Sequence, residues 1–231
     1  ESSLAITNEL YNQQYKIMAS DAVDNDKFGI NVRLSGDTAI VSSQTASYAG
    51  KVYIFQLTNN IWEEKQIIGS FGRRTGHSID FDGTTLLIGA FQASGNKGMA
   101  QVYNKENNEW LLDTTLSASD GISWDYFGWD VSVDGDTIVI GSPLDDVNAE
   151  NAGSVYVYTL INDNWYEKIK LIADNWAPEA RFGKSLSVEN RKVAVSDGNG
   201  LLYFYDLPQL IYNSPSVVTG TISTDVSIGG F

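Results

Sequence analysis

The feature that most constrains the fold is a unit of about 50 residues that occurs four times along the chain. Each unit opens on a glycine that usually follows a phenylalanine, and three units close with a segment led by tryptophan. These structural markers are Phe28, Gly29, Gly76, Phe127, Gly128, Phe182 and Gly183, with Trp62, Trp110 and Trp165. The glycines are 47, 52 and 55 residues apart, and the tryptophans are 48 and 55 apart. Because two independent markers keep one period, a repeat architecture is indicated.

Each unit is predicted to form four antiparallel strands, named A to D. In the third unit, strand A is the alternating run that begins at Trp129. The turn Gly135-Asp136 accepts positive φ, and the apolar strand B from Thr137 to Ile140 is typical of a packed centre. Strand C is the run VYVY, and strand D follows Trp165. Four antiparallel strands in about 50 residues are the pattern of a propeller blade.

The sequence therefore predicts an all-β protein, a β-propeller of four blades over residues 1–207. The predicted blades are residues 28–70, 75–118, 127–173 and 182–207. The fourth unit lacks strand D, and residues 11–21 resemble that strand. Pairing them with the last blade would close a four-bladed ring and protect two unpaired edges. The alternative is a cut from a longer array, which would also begin within a blade.

The tail, residues 208–231, is an extended or linker segment with a β-prone, nearly uncharged sequence. Only Asp225 is charged in its final stretch. An unpaired strand of this kind would be prone to aggregate, so we expect it to pair with its own propeller, a following domain or a neighbouring subunit. The tail is the part of the sequence that most favours self-assembly.

The Phe-Gly pairs open three of the units, and Gly141-Ser142-Pro143 and Gly89-Ala90-Phe91 follow strand B in two of them. On these motifs the chain resembles the FG-GAP repeat family of integrin-α-like propellers over roughly residues 15 to 207. The second unit departs from the pattern, with Thr75 in place of phenylalanine. The resemblance implies the propeller fold and an occurrence in surface proteins, and it implies the fold far better than the function.

Integrin-like repeats carry a calcium loop between strands A and B. Here that hairpin is reduced to residues 35–38 in the first unit and 133–137 in the third, which is too short to supply six or more oxygen ligands. The calcium sites of the family are therefore not implied for this chain, and no other cofactor is predicted.

Acidic loops are the remaining candidates for calcium. The predicted metal ligands lie in the B–C loop of the third unit and are Asp145, Asp146, Asn148 and Glu150. A second group precedes the Phe-Gly pairs and contains Asp21, Asp24, Asp26, Asp120 and Asp125. Calcium prefers carboxylate and carbonyl oxygens. The alternative is that these residues form turns, since Asp and Asn side chains bond to their own backbone.

Catalytic chemistry has little support in the sequence. The single histidine, His77, takes a repeat position that holds Ile30, Trp129 and Lys184 in the other units. No serine or paired acid motif accompanies it, and nucleophile-elbow, zinc-protease and phosphate-loop motifs do not occur. We therefore predict that the protein is not an enzyme.

Three aromatic residues do not recur with the repeat: Trp124, Tyr126 and Trp176. They fall in D–A loops, which cluster at one end of a propeller. Exposed aromatic side chains on loops stack on sugar rings or anchor protein partners, so these are the predicted ligand-binding residues. The alternative is that each caps the apolar end of its own blade.

Charge narrows the choice of partner. The net charge is −14 with a pI near 4.3, so a phosphate backbone would be repelled and nucleic acid is excluded. No apolar run reaches the roughly 18 residues of a membrane span.

The leading expectation is a non-enzymatic extracellular or surface module, secreted or on a cell or virion, for adhesion or as a subunit of a fibre, appendage or shell. Its partner would be a protein or, through the tail, a further copy. The alternatives are a carbohydrate-binding propeller with a glycan ligand and, third, a hydrolase.

Overall fold

The computed structural model describes residues 15–44 and 49–208, which form four antiparallel sheets in chain order. The first sheet contains β1 (Val32–Ser35), β2 (Thr38–Gln44), β3 (Gly50–Thr58) and β4 (Ile61–Ile68). The second contains β5 (Ser78–Phe81), β6 (Thr85–Ala90), β7 (Met99–Glu106) and β8 (Glu109–Leu116). The third contains β9 (Val131–Asp134), β10 (Thr137–Ser142), β11 (Ser154–Ile161) and β12 (Asn164–Leu171). The fourth contains β13 (Ser185–Glu189), β14 (Lys192–Ser196) and β15 (Leu202–Asp206).

Every sheet is a meander in which each strand pairs with the next along the chain. Two residues connect β1 to β2 and β9 to β10, and the leading glycines Gly36 and Gly135 have φ of 52° and 55°. Positive φ in a two-residue hairpin matches the twist of the flanking strands. The sequence prediction of short A–B turns, without room for a calcium loop, is therefore confirmed.

The sheets pack face to face, and the second strand of each of the first three is the centre of the packing. All residues of β2, β6 and β10 are buried. Because side chains alternate along a strand, Ile138 and Ile140 contact the second sheet whereas Val139 contacts the fourth. The fourth strands β4, β8 and β12 form outer edges with alternating exposure.

The phenylalanine of the Phe-Gly pair has the same environment in three repeats. Phe127 is fully buried and lies edge-on against Tyr156 and Tyr158, with ring centroids 5.3 and 6.3 Å away. The corresponding distances are 5.3 and 6.1 Å for Phe28 against Tyr53 and Phe55, and 5.2 and 6.2 Å for Phe182 against Tyr203 and Tyr205. Edge-to-face contact suits the charge distribution of the rings. This contact fixes each Phe-Gly pair on strand C of its own sheet.

All three tryptophans that open the fourth strands are predicted to pack between sheets, and two of them do so. Trp110 is buried between the first and second sheets, and Trp165 packs against the core between the second and third. Trp62 takes the same place on the first sheet, where no described sheet precedes it.

The prediction of four antiparallel blade-like sheets is confirmed, and the fourth sheet has three described strands, as expected. Ring closure is not shown. Residues 15–21 are assigned to no strand, and they contact the first sheet through Ile17 and Ala19. Residues 11–14 of the expected closing strand, and the tail beyond residue 208, lie outside the described residues. No helix in the described ranges has the length and apolarity needed to cross a membrane.

Candidate binding site at one end of the sheets

Five aromatic rings meet where the D–A and B–C loops of the second and third sheets converge. We call this group the loop-end cluster; it contains His77, Phe91, Trp124, Tyr126 and Trp129. His77 lies 4.5 Å from Phe91 and 4.9 Å from Trp129 between ring centroids. Tyr126 and Trp129 are nearly parallel, at 15° and 6.0 Å. Trp124 extends the cluster outward, 6.1 Å from Tyr126.

The backbone that places these rings is set by the repeat. The residue before each Phe-Gly pair, or before Thr75-Gly76, has a left-handed backbone: Lys27, Arg74, Tyr126 and Arg181 have φ of 48°, 65°, 62° and 54°. Trp124 has φ of 83°, and Asn25 and Glu179 hold the same place with φ of 69° and 61°. The conformation recurs in all four units at the Tyr126 place and in three at the Trp124 place, so it is a property of the repeat and not local strain at Trp124 or Tyr126.

The cluster presents an open aromatic surface. Trp124 is 59% exposed, whereas Tyr126 and Trp129 are half-buried and Phe91 is buried beneath them. Beside them lies a cavity of about 200 Å³ lined by Tyr126, Trp129, Pro143, Leu144, Arg181 and Lys184. Aromatic rings with exposed cations in an acidic chain can hold a planar or anionic group by stacking and charge.

His77 forms part of the aromatic wall. Burial, and secondarily the charge of Arg74, lowers the pKa of His77 to about 4, so the ring is neutral at neutral pH. In the described structure its ring has aromatic neighbours and no hydrogen bond to a serine or carboxylate. This environment favours packing over proton transfer.

The structure brings together two of the three predicted aromatic residues. Trp124 and Tyr126 join the cluster, whereas Trp176 is exposed and has no ring contact with it among the described residues. Sequence reasoning missed Phe91, Trp129, Arg181 and Lys184. Three of these four flank a Phe-Gly pair, so comparing the flanking positions across the four units would have found them.

The acidic B–C loop of the third sheet does not assemble a calcium site. Asp145 is buried and contacts Lys170 Nζ at 2.7 Å, and it accepts hydrogen bonds from Ser154 Oγ at 2.6 Å and Tyr156 OH at 3.0 Å. The lysine ammonium thus occupies the place that a metal ion would need. Asp146 is exposed and instead accepts a hydrogen bond from the Asn151 amide at 2.8 Å.

The other two residues of that prediction, Asn148 and Glu150, are exposed, and Asn148 has a left-handed φ of 66° typical of turns. No group of three or more His, Cys, Asp or Glu side chains that could hold a metal ion occurs in residues 15–44 and 49–208. The turn-forming alternative therefore accounts for this loop.

The acidic residues before the Phe-Gly pairs also stabilise turns. Asp125 accepts a hydrogen bond from the Ile122 amide at 2.7 Å, and Asp26 repeats the contact with the Val23 amide at 3.2 Å. Burial raises the pKa of Asp125 to about 6. Asp120 binds Lys170 and the Tyr156 hydroxyl, Asp21 binds Lys51 and the Tyr53 hydroxyl, and Asp24 is exposed.

Comparison with known proteins identifies one family. The FG-GAP repeat matches residues 11–55 and 110–158. The second match starts in β8 and runs into β11, and the first runs through β1 and β2 into β3, so both end in the third strand of a sheet. Repeats of this family are found in integrin-like extracellular interaction modules. No curated protein matches the chain.

Among solved structures, the crystal structure of the computationally designed Ika4 protein is similar at 12% sequence identity and a TM-score of 0.49. The similarity covers 77% of this chain and 89% of the designed one. A similarity of this size supports no conclusion about the present protein.

Proposed function

We propose that this FG-GAP repeat protein is a non-enzymatic interaction module of an extracellular or surface structure and holds its partner at the loop-end cluster. The observation that carries the proposal is the exposed Trp124 ring beside the parallel pair of Tyr126 and Trp129, with Arg181 and Lys184 next to them. The module would act in adhesion or as a subunit of a fibre, appendage or virion shell.

The composition of this surface favours recognition of a partner. Tryptophan, tyrosine and arginine are the residues most enriched at energetically dominant interface positions. Here they stand on loops held by buried strands, so little ordering would be needed on binding. Arg181 and Lys184 are exposed cations in a chain of net charge −14, and they would complement an acidic partner.

A non-catalytic role is supported by how the ionisable groups are used. His77 packs among rings, and Asp145 pairs with Lys170 inside the third sheet. The hydroxyls that donate to Asp145, those of Ser154 and Tyr156, are fully buried, whereas general acid–base catalysis needs a group within hydrogen-bond reach of the reacting proton of a substrate.

A carbohydrate ligand is the second candidate, and one observation favours it. The cavity beside Tyr126 and Trp129 has room for a small ring, and Arg181 and Lys184 line it together with the two aromatic residues. That lining would select sugars that carry a carboxylate or sulfate group.

The experiment compares Trp124→Ala and Tyr126→Ala with Trp176→Ala, an exposed tryptophan outside the cluster. Each labelled protein is applied to panels of neutral glycans, acidic glycans and extracellular-matrix proteins. We expect the two cluster variants to bind the responding panel about tenfold or more weakly, and Trp176→Ala to bind as the unmodified chain does. Equal binding by all variants, or no binding to any panel, would refute the proposed site; a response to glycans alone would identify the second candidate.

The proposal also includes ring closure by residues 11–21 as the fourth strand of the last sheet. Its support is that β15 has one described neighbour, β14, and that the family match already begins at residue 11, ahead of the first described strand. An interaction between the tail, residues 208–231, and another subunit stays a prediction.

A further inference from the structure

We propose that the outer cleft between the first and second sheets binds a sugar acid, a polyhydroxylated ligand that carries a carboxylate. We call it the turn-end cleft, because it lies beside the β3–β4 and β7–β8 turns. In an antiparallel meander these turns are at the end of the sheets opposite the D–A and B–C loops. The site therefore shares no residue with the loop-end cluster and goes beyond the partner site proposed above.

The walls of the cleft come from two adjoining sheets, both of which the structure describes. The first sheet contributes β3 and β4, and the second contributes the hairpin of β7 and β8. The enclosed volume is about 550 Å³, against about 200 Å³ for the cavity beside the loop-end cluster. Sites for small ligands range from roughly 300 to 1,000 Å³, so the cleft has room for a short oligosaccharide.

A clamp between β4 and β8 holds the two walls together. Gln66 Nε2 donates to the Trp110 carbonyl oxygen at 2.7 Å, and the Trp110 amide donates to Gln66 Oε1 at 2.8 Å. The Trp110 ring is 2% exposed and belongs to the core between the two sheets, where it backs the cleft. Because the walls are already fixed to each other, a ligand would find the cleft formed and would pay little for ordering it.

Lys105 places a cation in this cleft at a position where the other units have leucine. It lies opposite Trp110 on the hairpin, and the residues opposite the corresponding tryptophans are Leu57 in the first sheet and Leu160 in the third. Lys105 is partly buried, and its Nζ is 5.9 Å from the centroid of the Trp110 ring. Among the described residues its ammonium has no ion pair and no hydrogen bond. The packing of the unit does not require this charge.

Lys65 provides a second ammonium on the opposite wall. It is the bulge residue of β4, where the pairing with β3 shifts by one residue. Its side chain lines the cleft and pairs with Glu63, and both side chains are exposed. An exposed ion pair contributes little to stability, so Lys65 can exchange Glu63 for the carboxylate of a ligand at small cost.

The next pair of sheets has the opposite charge at the corresponding positions. Asp113 is the bulge residue of β8, where β4 has Lys65, and Leu160 takes the place of Lys105. The same backbone thus accepts a cation, an acid or a leucine, and the repeat does not dictate the two lysines. They face one cleft in a chain with 29 acidic residues and 15 lysines and arginines. Attraction of an anion accounts for this local reversal of charge.

The remaining side chains of the cleft indicate the rest of the ligand. Neutral groups that donate and accept hydrogen bonds line it, namely Gln56, Thr58, Asn107 and Asn108. Lysine ammonium groups act as point charges toward a carboxylate, and amide and hydroxyl groups suit the hydroxyls of a sugar. Glu109 also lines the cleft. Its carboxylate can accept from hydroxyls but would repel a densely charged ligand, which favours a sugar acid over a polysulfated chain.

The first test is isothermal titration calorimetry with the trimer of galacturonic acid as the acidic probe and maltotriose as the neutral one. We expect the acidic trimer to bind with a Kd of about 1 mM or lower, and more weakly as salt is added. The neutral trimer should bind at least about tenfold more weakly. Absence of binding by the acidic trimer at about 10 mM, or equal binding of the two probes, overturns the proposal.

The second test compares two variants that each remove one positive charge. Lys105→Leu introduces the residue of the first and third sheets, so the packing is kept, and it should weaken binding of the acidic trimer about tenfold or more. Lys168→Leu changes the exposed bulge residue of β12, outside the cleft, and should bind within about twofold of the unmodified chain. Thermal denaturation checks that both variants are folded. Equal binding by Lys105→Leu and Lys168→Leu refutes the site.

The loop-end cluster is the rival site for an acidic sugar, and Tyr126→Ala distinguishes it. This variant should bind the acidic trimer as the unmodified chain does. Loss of binding in Tyr126→Ala, with none in Lys105→Leu, would assign the trimer to the loop-end cluster and overturn the turn-end cleft. If the glycan and matrix panels show no dependence on Tyr126 while the trimer depends on Lys105, the proposed partner site fails and the turn-end cleft stands.

Discussion

At the scale of single residues, charged groups of this protein hold loops together where the sequence suggested ligand binding. Asp145 has Lys170, Ser154 and Tyr156 around it, which satisfies its oxygens without a metal ion. Removing either member of a buried ion pair is costly because the other charge is left unpaired. Such pairing explains why an oxygen-rich loop sequence gives a stable turn here.

His77 gives a prediction for the pH dependence of stability. Its pKa is lowered to about 4 in the fold, so between about pH 4 and 6.5 the unfolded chain binds the additional proton and the contribution of His77 to stability rises with pH. The difference in unfolding free energy between the unmodified chain and His77→Gln should therefore grow with pH in this window, by at most about 1.4 kcal/mol per unit.

Urea denaturation at several pH values measures this difference. Asp125, with its pKa raised to about 6, contributes the opposite slope, but it does so in both proteins and cancels. Because the chain has one histidine, its proton NMR titration is the control. A midpoint near 6.5 would contradict the buried, neutral ring.

At the scale of strands and loops, the glycine near the end of strand B in one unit and the Phe-Gly pair of the next unit together allow a close contact between two sheets. A side chain at Gly141 would lie 2.1 Å from the carbonyl oxygen of Gly183, and one at Gly89 would lie 2.3 Å from that of Gly128. The main chain at the end of the second strand of one sheet therefore lies directly against the main chain that leads into the next sheet. The first sheet has Ser42 in this place, where a side chain added at Gly76 would meet the serine Cβ at 2.9 Å.

Gly141→Ala is expected to destabilise the protein by about 2 kcal/mol or more, because the new methyl group would push two main chains apart. The matched control is Gly69→Ala, whose added methyl group would meet nothing within 4 Å and whose φ is not left-handed. That variant should stay within about 0.5 kcal/mol of the unmodified chain. Thermal and urea denaturation provide the comparison, and equal effects of the two substitutions would argue against the close approach.

At the scale of the whole molecule, the four described sheets form a linear array in which the shared apolar cores join each sheet to its neighbours in sequence. Stability in such an array is a sum of unit and neighbour terms, and the terminal units are the weakest unless covered. The second and third sheets have neighbours on both faces, whereas the first and fourth each expose one.

Hydrogen exchange should report this difference. Amides of β10 and β11 are expected to exchange slowest at any protein concentration. Those of β1 and β15 are expected to exchange about tenfold or more faster, because the first and fourth sheets each expose one face. Mass spectrometry of peptides after deuterium labelling measures both, and protection of β15 equal to that of β10 would contradict the exposed face of the fourth sheet.

The fold was predictable to a large extent because its determinants are local and recur. The Phe-Gly pairs, the two-residue A–B turns and the apolar second strands each appear in the sequence at one period, and the structure places them as predicted. The candidate site was predictable in part: Trp124 and Tyr126 were identified as loop aromatics, but Trp176 is not in the cluster. The rings of Phe91 and Trp129 come from loops of different sheets, and their proximity depends on how the sheets pack.

By itself, the sequence determined the unit, the number of units and the lack of a tryptophan-led segment in the last one, because strand alternation, turn residues and period are properties of neighbouring positions. Only the tertiary structure decided that Lys170 neutralises Asp145, that His77 lies among rings, and that the array leaves Leu34 and Phe204 exposed at its two ends. The first two outcomes depend on residues 14 to 52 positions apart, and no local rule fixes the angle at which one sheet packs on the next.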